Sequence, residues 1–194
     1  MKRFRKLGLA AAMTLGVLAF LTGGIASATT IEIKGVTQNK SVQASASLQP
    51  STSMILKDSF GTTTDTCTEA FVKGATEGVF SGASVGGKLG TLTVGNCSHT
   101  TTVLSPGSMS VVWTSGTNGS VTSAASEVTT VSTAFGSSAV CKTGSGTPIG
   151  TVTGVKEGHA TLDVNAKVSC GILGTGTLTG TFTGTGSGGL GVVN

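Results

Sequence analysis

An antiparallel all-β fold is what this 194-residue chain predicts. The expected form is a β-sandwich of Greek-key, immunoglobulin-like or jelly-roll type, with a closed β-barrel as the alternative. Three observations carry this expectation. Apolar and polar residues alternate with period two over many short runs, which marks strands with one dry and one wet face. Turn chemistry separates the runs, as at Pro106-Gly107, Thr117-Asn118-Gly119 and Gly144-Ser145-Gly146. No long stretch follows a helical period.

The first residues stand apart from that fold. Lys2, Arg3, Arg5 and Lys6 precede an uncharged, mostly apolar run from Leu7, which ends in Ala26-Ser27-Ala28. That order reads as a secretory signal over 1–28, leaving a single all-β domain over 29–194 that starts at Thr29. Gly16, Gly23 and Gly24 interrupt the apolar run, and no later segment is apolar enough to be read as a helical membrane span. A secreted, extracellular protein is expected, with loose attachment to the cell envelope as an option.

Along the mature chain, Ile31 and Ile33 begin the alternation, and Val42, Ala44, Ala46 and Leu48 extend it. This first stretch is comparatively polar and reads as an edge or a detachable arm. Thr66-Cys67-Thr68-Glu69 has capping-box spacing, so a short helix is the local expectation there, halted by Gly74. Leu92 and Val94 lead into Cys97, and Met109, Val111 and Trp113 share a face, which places Trp113 in the core. Ala160, Leu162, Val164, Ala166 and Val168 form the cleanest dry face, opposite His159, Thr161, Asp163, Asn165, Lys167 and Ser169. Finally Thr175, Thr177, Thr179, Thr181, Thr183 and Thr185 alternate with a face that holds Leu178 and Phe182 among glycines. Leu178 and Phe182 are expected to face inward. The threonine ladder then faces outward, either as plain strand-forming residues or as a surface for ice, glycan or another chain.

Four cysteines, Cys67, Cys97, Cys141 and Cys170, all follow the signal segment. In an exported chain an even count reads as two disulfides. Pairing Cys67 with Cys97 and Cys141 with Cys170 is preferred among three connectivities, because each pair brackets strand-like sequence of similar length. No Cys-x-x-Cys or Cys/His cluster suggests zinc.

Charge and motifs exclude more than they indicate. Without the four basic residues at the start, eight lysines balance eight acidic residues, scattered singly. Phosphate recognition needs clustered cations, so nucleic acid is not an expected partner. Gly82-Ala83-Ser84-Val85-Gly86 spells a nucleophile elbow, and Ser84, Glu127 and His159 even follow hydrolase order. The glycine-rich flanks lack the strand-to-helix turn such an elbow requires. Gly184-Thr185-Gly186-Ser187-Gly188-Gly189 matches a dinucleotide fingerprint with no room for a βαβ unit after it. His99 and His159 read as surface imidazoles, and the acidic residues show no obvious close pair. No residue is assigned a catalytic, cofactor-binding or metal-ligating role.

Taken together, Asp65-Thr66-Cys67, Gly95-Asn96-Cys97-Ser98-His99-Thr100, Trp113 to Gly119, Ala139 to Gly144 and Val168-Ser169-Cys170 resemble a group of small, largely uncharacterised secreted proteins of actinobacteria. A remoter likeness is to secreted β proteins described as activators of alkane oxidation. The resemblance implies a disulfide-stapled β fold and no active-site residue. Neutrality, low charge and abundant Ser, Thr and Gly make a non-enzymatic structural or adhesive protein of the exterior or cell envelope the leading functional expectation. Its implied partners are a second copy of itself or cell-surface components. The alternative is a binder of a small hydrophobic ligand, hydrocarbon or lipid, or of a glycan; a hydrolase comes third. A pocket lined by several of Phe60, Phe71, Phe80, Phe135 and Trp113 would favour the binder, and a filled core the structural protein.

Overall fold

The computed structural model describes residues 29–76, 83–125, 129–132, 139–171, 174–185 and 188–193. The proposed signal segment lies outside them. In chain order the strands are β1 (Thr30–Ile33), β2 (Val36–Thr37), β3 (Gln43–Leu48), β4 (Met54–Lys57), β5 (Thr63–Thr76), β6 (Val85–Cys97), β7 (Thr101–Ser105) and β8 (Ser108–Ser115). There follow β9 (Asn118–Ala125), β10 (Thr129–Ser132), β11 (Ala139–Cys141), β12 (Pro148–Thr153), β13 (Thr161–Ser169), β14 (Thr175–Thr185) and β15 (Leu190–Val193). Among the described residues there is no α-helix, and therefore none long and apolar enough to cross a membrane.

Eight strands, β3, β5, β6, β8, β9, β12, β13 and β14, close into a barrel. Each neighbouring pair is antiparallel, and the order around the wall is the order along the chain, with β14 returning to β3. The barrel alternative is thus the architecture formed, and its strands follow an up-and-down order rather than Greek-key crossovers. Closure pairs both flanks of every wall strand, so the main sheet keeps no long open edge. β3 and β4 share one place in the wall. β3 pairs with β5 and β14 toward one end, and β4 pairs with the same two strands toward the other.

Three local expectations are corrected. The capping-box segment Thr66 to Glu69 lies within β5, where Cys67 stands opposite Cys97 of β6. A long cross-strand ladder and a covalent link outweigh a two-turn helix, which is marginal on its own. The polar arm is also not detachable, because β3 sits inside the wall between β14 and β5. The turn expected at Thr117-Asn118-Gly119 falls one residue earlier, on Gly116 and Thr117, with Ser115 opposite Asn118.

Small sheets cover the two ends. β1, β2 and β15 form a cap, in the order β15-β1-β2. Its Ile31 and Val192 are buried with Val42 and Val85, and Val111, Trp113 and Val152 pack against them. The cap is fastened by the Val192 N–H donating to the Thr117 carbonyl (3.0 Å) and the Val155 N–H donating to the Leu190 carbonyl (3.0 Å). Gly119 permits the close approach: a Cβ there would lie 2.8 Å from Val111 Cγ1 and 3.3 Å from Val192 Cγ1. The second sheet, β11-β10-β7, is tied to the end of β13 by the Cys141–Cys170 disulfide. Cys67–Cys97 joins β5 to β6, so both predicted pairings are formed. Between the ends, Leu48, Met54, Cys67, Ala70 and Phe182 make the main core.

Candidate functional site

An eight-stranded barrel is just wide enough for inward side chains to fill it, so its filling depends on residue size. On β14, Phe182 is buried in the core and Leu178 packs on it, as expected. Strand alternation then fixes which other positions face the interior. Ala44 and Ala46 of β3, Gly74 of β5, Gly87 of β6, Gly184 of β14 and Ala160 just before β13 all surround the capped half. Small residues there leave a cavity of about 340 Å³ beneath the cap. The opposite half carries Leu48, Met54, Leu56, Val168 and Leu178 and is packed, with a residual void of only about 10 Å³.

The cavity is lined chiefly by aliphatic side chains. Ile31 and Val192 of the cap, with Val85, Val111 and Val152 of the wall, give it a continuous aliphatic surface. Thr76 of β5 adds a hydroxyl that accepts from the Val42 N–H (2.8 Å), whereas Lys73, Thr161 and Thr185 border the cavity from β5, β13 and β14 with side chains that alternation turns to the outer face. The aromatic pocket named as the mark of a binder is not what lines it. Phe60 is 92% exposed on the turn between β4 and β5, and Phe71 is half-buried outside the lining. Trp113 packs against the cap's core, its indole Nε1 donating to the Gly116 carbonyl (3.0 Å), while Phe80 and Phe135 lie outside the described residues.

A second polar constellation lies at the packed end. Asp65 is buried, and its Oδ1 accepts from the Thr66 N–H (2.9 Å), the Ser98 hydroxyl (2.8 Å) and the His99 N–H (3.1 Å). The Thr101 hydroxyl donates to Oδ2. Burial pushes this carboxyl upward, but the hydrogen bonds from Thr101, Ser98, His99 and Thr66 outweigh it and hold its pKa below the ordinary value. His99 Nδ1 lies 3.7 Å from Asp65 Oδ1 and 3.3 Å from Ser98 Oγ. Ser, His and Asp therefore meet here, yet the serine gives its proton to the carboxylate, so the imidazole is not placed between nucleophile and acid as a general base would be. Asp65 also lies near the sulfurs of Cys67 and Cys97, but those are bonded to each other and offer no thiolate to a metal.

The remaining sequence-derived candidates scatter. Ser84 is exposed just before β6, where the chain continues as a strand, and Glu127 lies outside the described residues. The threonine ladder, Thr175 to Thr185, lies on the wall face opposite Phe182, half-buried to exposed, with the Thr181 hydroxyl donating to Asp163 (2.9 Å). Sequence reasoning missed the cavity and the Asp65 cluster. For the latter a signal existed: once Cys67 pairs with Cys97 across antiparallel strands, the residues two before and two after are brought together, namely Asp65 and His99. No family model, curated protein or solved structure matches this chain.

Proposed function

We propose that this chain is a non-enzymatic extracellular binding protein that holds one small apolar molecule inside its barrel. The observation that carries this reading is the aliphatic cavity of about 340 Å³ beneath the cap, within the size range of small-molecule sites. At about 30 Å³ for each water-sized group, it holds on the order of a dozen non-hydrogen atoms. Transfer of an apolar chain from water onto this lining gains about 25 cal/mol per Å² buried. The test uses the purified protein and an environment-sensitive apolar fluorophore small enough for the cavity, such as 1-aminonaphthalene. Saturable fluorescence gain, displaced by dodecane-sized compounds, is expected. Ala44→Phe should abolish it while leaving the melting temperature equal or higher, because the ring fills the void. Absence of saturable binding, or binding unaffected by that substitution, would overturn the reading.

A surface role in adhesion or self-association is the second reading, favoured by the outward hydroxyl row of β14 beside Asp163 of β13. Thr181→Lys should then abolish cell or self-binding in a protein that still folds.

A further inference from the structure

One polar group faces into the aliphatic cavity. Along β5, alternation turns Val72, Gly74 and Thr76 to the interior. Among the described wall-strand positions that face the cavity, Thr76 alone carries a hydroxyl, an amide or a charge. Its backbone is pinned to the chain just before β3. The Thr76 N–H donates to the Val42 carbonyl (3.0 Å), and the Ser41 hydroxyl donates to the Thr76 carbonyl (2.6 Å). Its Oγ1 accepts from the Val42 N–H (2.8 Å). A hydroxyl has one proton to donate as well as lone pairs to accept with. Among the described residues no acceptor meets that proton. The neighbouring inward positions leave it uncovered, because Gly87 stands opposite on β6 and Gly74 lies two residues back. A Cβ at Gly87 would lie 3.9 Å from Thr76 Cα, and the glycine leaves that space to a ligand.

We infer that the cavity takes a small apolar molecule bearing one uncharged acceptor oxygen, a ketone, ester or ether, which accepts the Thr76 hydroxyl proton while its hydrocarbon part lies under the cap. This rests on the barrel being the binding site, as proposed above. The wall-strand positions that face the cavity hold no charge, so an ionised group moved inside would lose its hydration without a partner. A carbonyl or ether oxygen needs only a donor, which the hydroxyl supplies from a fixed place. One such group on an apolar lining is enough to orient a small ligand.

The experiment compares two probes of one shape, 2-nonanone and 2-methyl-1-nonene, in which a methylene replaces the carbonyl oxygen. Each is measured by displacement of 1-aminonaphthalene from the full protein. Thr76→Val should weaken the ketone on the order of tenfold, because its oxygen is then buried without a donor, and leave the alkene within about twofold. Thr76→Ser keeps a hydroxyl and should hold the ketone near its native affinity. The Val42 N–H loses its acceptor in Thr76→Val, and alkene binding by that variant reports that the cavity survives. A measurement on the unaltered protein stands beside these. The infrared carbonyl band of bound, isotope-labelled 2-nonanone should lie below its position in heptane, as a hydrogen-bonded carbonyl does. In a Thr76→Val protein that binds the alkene, an unweakened ketone would overturn the oxygen-bearing ligand and leave the cavity reading standing. A bound band at the heptane position would do the same. Displacement by neither probe would overturn both.

Discussion

At the packed end of the barrel, one carboxylate holds the turn that follows β6. Asp65 gathers hydroxyl and amide donors from Ser98, His99 and Thr101 on the far side of the β5–β6 hairpin. Each bond to a charged acceptor contributes about 1.5–3 kcal/mol, and the donors would be stranded if the acceptor left. Asp65→Ala should therefore lower stability by about 2–4 kcal/mol in urea unfolding, with the slope unchanged. The same site makes a pH prediction. The folded carboxyl binds its proton less readily than the unfolded one, so its stabilisation is complete above the ordinary aspartate pKa. It drains away as pH falls through that value toward the lower folded one. Unfolding curves across the acid range should show a loss in the native protein that is smaller in Asp65→Asn, and parallel curves would refute this account. In the sequence alone His99 reads as a surface imidazole, because only the hairpin register brings it to Asp65.

The strands differ in how openly the sequence declares them. β13 and β14 were legible in full, since nine and eleven residues of strict alternation leave no other face for Phe182 and Val168. β5 was not, because its cap-like start imitates a helix until the pairing with β6 is known. Alternation states which face a residue takes and is silent about which strand lies beside it, so sandwich and barrel could not be separated. For β14 the two faces predict opposite outcomes. Phe182→Asp places an unpaired charge in the core and should unfold the domain. Thr181→Lys alters a half-exposed site and should shift stability by no more than about 0.5 kcal/mol. Equal loss in both thermal melts would show a strand buried on two sides. The cap can be tested through its closest contact. Gly119→Val would push against Val111 and Val192, and amide exchange in β1 and β15 should accelerate while that of β13 stays slow.

For the molecule as a whole, the staples and the hollow lie at opposite ends. The disulfides close loops separated by 30 and 29 residues, each stabilising by about 3–4 kcal/mol in the chain-entropy view. Exchanging Cys141 and Cys170 together for serine should lower the unfolding free energy by an amount in that range while dye binding in the capped half persists. Loss of both together would mean the two ends unfold as one. The cavity itself was invisible in the sequence, where Ala44, Ala46, Gly87 and Gly184 read only as small residues that ease sheet packing. They become a void when the wall curves round and places them face to face. That closure has a further consequence in time. The seam joins Ser45 to Thr185, 140 residues apart, and the cap likewise needs β15 to reach β1. β3 is made long before β14, so the chain carries an unzipped flank until β14 arrives. Native contacts so remote in sequence form slowly, which makes this barrel a late-locking fold with a prolonged window for strand-by-strand capture by another chain.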